Sequence, residues 1–264
     1  MGAAWRIGRP FGIPVDFDVS GIIVAAVIAF TLATGGFPSQ FPSFGPLTRA
    51  ILGVSASLLL FASVLAHELS HSLVARRDGL AVEGITLFAF GGIARLAEEP
   101  RSARQEFRMA AAGPACSLLL GALLIGLLAV ANPARYDSPP HALIAYLAAV
   151  NIAIGLFNLV PGFPLDGGRM FRALLWGTTN DLRRATWASA ALGQAFALLI
   201  VFWGIFRLYE GAHEASIVGP ALAGFFLIFT GLFLIEAARR SYQAVLQREY
   251  AGDGQSRDDE LRRP

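Results

Sequence analysis

Charged residues are missing from six long stretches of the chain, and these stretches set the expected fold. Val19–Thr48, Ala50–His67, Met109–Ala134, Ser138–Leu165, Ala185–Phe206 and Ala215–Ile235 contain no Asp, Glu, Lys or Arg. Each is at least 18 residues long, and about 18–20 apolar residues in a helix cross a hydrocarbon core of about 30 Å. The pattern predicts an all-α polytopic membrane protein with six transmembrane helices. The first span ends near Thr34 and the second runs from about Ala50 to Ala75. The third follows a polar lead-in, Glu98–Arg108. The fourth starts near His141 and stops at Pro161. The fifth and sixth are Ala185–Phe206 and Ile217–Ala237. The first run is too long for a cleaved signal peptide and is read as retained. Between the first two spans, Gly35–Pro46 is rich in Gly, Pro and Phe, and its aromatic rings are placed at the bilayer interface.

Two stretches follow a different rule. Trp5–Phe17 mixes Gly and Pro with alternating apolar residues, as a short strand or interfacial arm does. Leu80–Leu96 is rich in β-branched and aromatic residues and is punctuated by Gly91-Gly92. It reads as a strand or hairpin at the inner face, a small membrane-associated β element. An open sheet edge cannot face lipid, so helices must cover it or another chain must pair with it. Met170–Trp176 reads as a short interfacial helix. The domain reading is residues 1–18 as an N-terminal arm, 19–240 as the six-span body and 241–264 as a polar, disordered cytoplasmic tail. No internal repeat points to a transporter built from inverted halves.

Composition agrees with the pattern. Of 264 residues, 55% are hydrophobic and 15% charged, too apolar for a water-soluble globule or a disordered chain. All 21 basic residues are Arg. With both termini inside, 18 of them fall on the inner side and only Arg49, Arg135 and Arg207 on the outer. That bias places both termini in the cytoplasm and the protein in the inner (plasma) membrane. The net charge of +2 therefore reports topology. It does not point to nucleic acid, because no basic patch interleaves with exposed aromatics. A single cysteine, Cys116, excludes an intramolecular disulfide and reads as a packing residue.

The chemistry lies in the second span, in His67-Glu68-Leu69-Ser70-His71. Residues four apart on a helix share a face, so both imidazoles reach one ion. Glu68 is placed to take a proton from an activated water, the usual reading of HExxH. One zinc ion suits two neutral imidazoles and an oxygen ligand, with a fourth position open. Ionisable groups inside an apolar span are costly and functional by default. The ligands lie about 6–12 Å in from the cytoplasmic end of the helix, so the site faces the cytoplasm and needs a water path from that side. Asp166 is the best third ligand, in Pro164-Leu165-Asp166-Gly167-Gly168 just beyond the fourth span. Glu83 and Glu98 are rivals. His141 and His213 fall near the opposite face and are poor ligands. Asn151 reads as a bridge between helices. Asn158 reads either as a hydrogen-bond donor to a substrate backbone or developing oxyanion, or as a packing residue.

The pair His67-Glu68-Leu69-Ser70-His71 and Asn158-Leu159-Val160-Pro161-Gly162-Phe163-Pro164-Leu165-Asp166-Gly167-Gly168 resembles the site-2 protease family of intramembrane zinc metalloproteases. Phe11-Gly12-Ile13-Pro14, Gly91-Gly92 and Gly113-Pro114 add to the resemblance, which covers about residues 5–180. It implies His67, His71 and Asp166 as zinc ligands, Glu68 as base and later proton donor, and Asn158 as a substrate-orienting or oxyanion-binding residue. It implies that the 80–95 region offers an edge to an unwound substrate segment, by strand addition. The implied substrates are single-span membrane proteins, such as regulators of the anti-sigma-factor kind, and a homodimer stays open. The chain is expected to be a compact form, without the PDZ insertion or C-terminal nucleotide-sensing domain of many members. Many members carry Asn where this chain has Ser117, which we read as a tuned helix contact.

Two other classes compete. A zinc channel or transporter needs polar groups along several spans, and the outer halves here offer almost none. A membrane assembly factor with a vestigial metal site would not need an intact Glu68.

Overall fold

The computed structural model describes residues 4–89, 91–130, 137–211 and 218–261, with side chains except at 218–222 and 248–261. Among the described residues five helices are long and apolar enough to cross a membrane: Val19–Gln40, Pro46–Arg77, Ala103–Val130, Pro139–Asn158 and Leu182–Gly211. The protein is thus an all-α polytopic membrane protein with a small sheet. The sixth expected segment starts among residues outside the described set.

The chain divides into two compact units, Met1–Arg101 with Arg108–Asn158, and Ser102–Phe107 with Leu159–Pro264. The first unit opens with strands β1 (Ala4–Gly8) and β2 (Val15–Asp18). Helix α1 (Val19–Thr31) starts at Asp18, whose carboxylate accepts from the Ser20 amide at 2.9 Å, an N-cap bond that satisfies an otherwise orphaned donor. A π-helical turn, Leu32–Gly36, leads into α2 (Phe37–Gln40). Helix α3 (Pro46–Arg77) begins with proline, which fits the first helical position because its missing N–H is not needed there. Strands β3 (Val82–Phe88) and β4 (Gly91–Leu96) follow, then α4 (Ala103–Val130) and α5 (Pro139–Asn158).

The sheet joins the two stretches in which strands were expected, a pairing the sequence did not suggest. All four strands form one sheet in the order β1-β2-β3-β4. The central pair is parallel, with Val15 opposite Ile85, and the outer pairs are antiparallel. Val15, Ile85 and Leu87 point inward with Ile13 and pack on Val64, Leu65 and Leu69 of α3. One face of the sheet is therefore fixed against the motif-bearing helix.

Small and polar residues set the helix packing, as expected where lipid supplies no hydrophobic drive between helices. Gly53 of α3 lies directly against the Ala29 carbonyl of α1, and Ser57 donates to the Ala25 carbonyl at 2.7 Å. The fully buried Asn151 of α5 donates to Ser63 of α3 at 3.0 Å, the bridging role anticipated for it. Gly121 faces Ile152 and Gly155 faces Leu118, so α4 and α5 approach closely. Cys116 points its sulfur at the Ala66 carbonyl, 3.8 Å away. The loop phenylalanines depart from expectation. Phe37 and Phe44 are buried against Leu52, Ala56 and Ala142, because the turn after α1 folds them onto α3 and α5.

The second unit holds the first turn of α4, within Ser102–Phe107, together with α6 (Asp166–Thr179), α7 (Leu182–Gly211) and α8 (Val218–Leu261). Helix α8 takes in residues 241–261 of the tail, for which the sequence suggested no regular structure. Helix α6 starts four residues before the expected Met170. The glycines that look like helix breakers are there for close packing: a Cβ on Gly167 would meet the carbonyls of Leu159 and Val160, and one on Gly168 would meet Gly162 and Phe163.

Candidate metal centre

His67 and His71 lie one turn apart in α3, with ring centroids 4.8 Å apart. Both are buried, at 4% and 8% exposure, so each ring nitrogen needs a partner. His71 Nδ1 lies 2.7 Å from the Met109 carbonyl. That oxygen can only accept, so Nδ1 carries the hydrogen and Nε2 keeps its lone pair. His67 Nδ1 lies 2.9 Å from the Ser117 hydroxyl. Such outer hydrogen bonds fix the tautomer and orientation of ligating imidazoles. The two Nε2 atoms look onto Gly113 of α4, where any Cβ would collide with both. Glycine at this position keeps the space in front of the lone pairs clear.

Glu68 is half-buried on the same helix. Its side chain lies against Gly92 of β4, where a Cβ would clash with Glu68 Cγ. Gly91 has φ of 126°, a conformation that favours glycine. Gly91 opens β4 opposite Phe88, and Gly92 clears room beside Glu68.

Asp166 is the first residue of α6. The loop before it is pinned locally: the Phe163 amide donates to the Ser189 carbonyl at 3.0 Å, and the Leu165 amide to the Gly162 carbonyl at 3.1 Å. Ser189 in turn donates its hydroxyl to the Gly168 carbonyl at 2.9 Å. Gly193 of α7 lets the Phe163 backbone approach without a side chain between.

One ligand atom from each of His67, His71 and Asp166 lies within 4.8 Å of the others. Neither rival carboxylate belongs to the group. Glu98 is exposed and pairs with Arg101 at 2.5 Å, and Glu83 is exposed on β3. Two neutral imidazoles and a carboxylate are the donor set of a zinc site that keeps a position open. The buried, clash-free Nε2 pair fits that ion. Asn158 ends α5 and donates to the Ile154 carbonyl of its own helix at 3.0 Å. His141 is half-buried at the start of α5 and does not belong to the group, and His213 lies outside the described residues.

Sequence reasoning missed the residues that support the imidazoles. Met109 acts through its backbone, which no side-chain pattern reveals. Ser117 was visible only as a departure from the family's usual Asn. Gly113 sat in a small-residue run legible as helix packing.

Comparison with known proteins agrees with this geometry. The model of peptidase family M50 matches residues 55–136 and 126–202. A Synechocystis protein named "Putative zinc metalloprotease sll0528" is 38% identical over 236 residues, covering 89% of this chain and 59% of its own length. "Putative zinc metalloprotease Rip3" of Mycobacterium tuberculosis is 37% identical, covering 96% of this chain and 62% of its own. The chain thus spans about three fifths of the length of these relatives. Among solved structures, the "Site-2 Protease from Methanocaldococcus jannaschii" superposes with a TM-score of 0.58 and 28% identity, covering 91% of this chain and 95% of that one. On the family match and the relatives together, the chain belongs to peptidase family M50.

Proposed function

We propose that the protein is an intramembrane zinc endopeptidase that hydrolyses peptide bonds within or near the spans of membrane-anchored proteins. One observation carries this reading. The His67, His71 and Asp166 ligand atoms converge, with both imidazoles set in a helix long and apolar enough to span a bilayer.

Zinc would be held by His67, His71 and Asp166, and when bound it supplies Lewis acidity for water and for the scissile carbonyl. The remaining steps belong to the chain. Glu68 accepts the proton of the attacking water and hands it to the leaving nitrogen. Asn158 gives up its bond to Ile154 and donates to the substrate backbone or the oxygen that gains charge. Strand β4 pairs only with β3 among the described residues. Its outer edge takes an unwound substrate segment by strand addition, and Gly92 brings that edge beside Glu68. A substrate helix must unwind first, because its carbonyls are internally bonded.

We further propose a sixth span over Ile217–Ala237, termini and active site on the cytoplasmic side of the plasma membrane, and single-span regulators of the anti-sigma-factor kind as substrates. The arginine bias supports the orientation. The test is cleavage of a reconstituted single-span substrate by the wild type and by Glu68→Gln, with zinc measured in both. Retained zinc with lost cleavage supports Glu68 as the base. Equal product from both proteins removes Glu68 from that role.

A further inference from the structure

Helix α6 carries Asp166, yet none of its large apolar side chains is fully buried; Met170, Phe171, Leu175 and Trp176 are half-buried. The buried residues of α6 are Gly167, Gly168, Arg172 and Ala173. Small side chains allow close approach but do not fix register along a helix. The one large buried side chain on this face is cationic.

Arg172 is 7% exposed. Its Nε donates to Glu106 Oε1 at 2.8 Å, and its Nη2 donates to the same oxygen. Glu106 is fully buried in the first turn of α4. A second guanidinium, that of Arg169, stands 3.9 Å from the same carboxylate oxygen. Beneath Arg172 lies the Phe163 ring, with its centroid 5.1 Å from the guanidinium carbon. Phe163 is held to α7 through the Ser189 carbonyl. The guanidinium is therefore fixed by a carboxylate on one helix and by an aromatic ring in the loop that leads into α6.

A buried ion pair is seldom worth more than apolar residues of the same volume, because desolvation of both charges offsets their attraction. Stability alone gives a weak reason to place Glu106 and Arg172 here. Direction gives a better one. The fork of Arg recognises a carboxylate at defined angles and distances, which small apolar contacts do not. Residues 163, 169 and 172 flank Asp166 on both sides within the same short segment. Glu106 Oε2 is buried without a hydrogen-bond partner among the described residues, a cost that packing alone would have removed. Three, seven and eleven residues beyond Glu106 on the same helix come Met109, Gly113 and Ser117, which set the two imidazoles.

From this we infer that Glu106 and Arg172 are positioning residues for the metal centre: the buried pair sets the register of α6 and so the placement of the Asp166 carboxylate. The inference rests on Asp166 being a metal ligand. Neither residue touches the ion or the substrate.

The test replaces both charges together. Glu106→Leu with Arg172→Met removes both fully buried charges together, and Arg169, whose side chain is 29% exposed, keeps access to water, so the double variant keeps the fold. Zinc affinity is measured by chelator competition on the full chain in detergent, beside the thermal midpoint. The expected result is an unchanged or raised midpoint with zinc affinity at least tenfold weaker. Arg172→Lys keeps the charge but loses the fork and falls between wild type and the double variant. Wild-type zinc affinity within twofold in either folded variant overturns the inference. Asp166→Ala is the control for the reading beneath it. If Asp166→Ala leaves zinc affinity unchanged, the ligand assignment fails, and the positioning role goes with it. Weak zinc binding in Asp166→Ala with full binding in the double variant removes the positioning role alone.

Discussion

Gly113 of α4 faces the Nε2 atom of His71 so closely that no Cβ fits between them. The same missing side chain clears Nε2 of His67. The rings cannot simply rotate away, because their other nitrogens are held by Met109 and Ser117. Gly113→Ala should therefore abolish stoichiometric zinc binding while the protein still folds. Metal analysis after gel filtration, beside the thermal midpoint, reads this directly. A folded Gly113→Ala protein with full zinc would show that the imidazoles coordinate from some other direction.

Ser117 tests the outer hydrogen bond by itself. Loss of an outer-sphere partner to a ligating His typically weakens metal binding about 10–100-fold. Ser117→Ala should fall in that range, about 1.4–2.7 kcal/mol. Ser117→Asn restores a group able to bond Nδ1 and should recover most of the affinity. Chelator competition separates the two variants. Equal affinity in Ser117→Ala and the wild type would mean that His67 orientation is set by packing.

The sequence made some of this legible and hid the rest for definable reasons. The α3 span and its HExxH stood out because three ionisable residues interrupt an apolar run. Asp166 was recoverable once topology placed it on the same side. The four-stranded sheet was not, because its central pairing joins Val15 to Ile85, and nothing local records a parallel partner so far along the chain. The start of α6 was misplaced because Gly167-Gly168 resembles a turn; only the close carbonyls of Leu159 and Val160 explain glycine there. The pair Glu106 and Arg172 looked like ordinary charges of a polar lead-in and of a short interfacial helix. Its burial depends on tertiary structure, and charge bias counts Arg172 without revealing its partner.

Two helical glycines give opposite expectations for the same substitution. Gly53 lies against the Ala29 backbone oxygen, whereas a Cβ on Gly126 meets open space. Alanine favours the helix over glycine by about 1 kcal/mol, so Gly126→Ala should be neutral or stabilising. Gly53→Ala must push α1 from α3 and should cost about 1–3 kcal/mol, the range for overpacked cores. Thermal midpoints of both variants in detergent decide it. Matching midpoints would mean that the close contact of α1 and α3 relaxes freely.

Asp16 on β2 supplies an acid-sensitive element outside the spans. Arg6 Nε donates to its Oδ1 at 3.1 Å and Arg95 Nη2 to its Oδ2 at 3.3 Å. The hydrogen bond from Arg6 holds the carboxyl below the usual carboxylate range; partial burial opposes this, and Arg95 adds to the lowering. A depressed folded-state pKa means that the ionised form is favoured by folding. The stabilisation is therefore present above the unfolded-state value of about 3.9 and is lost as pH falls through the lower folded-state value. Asp16→Asn should lie below the wild type in thermal midpoint at neutral pH. The gap should narrow as pH drops below about 4, the unfolded-state range. It should also shrink in high salt, because Arg6 is half exposed and its pairing is screened. A gap that stays constant from neutral to acid pH would assign the effect of Asp16 to hydrogen bonding that the amide cannot copy, and not to its charge.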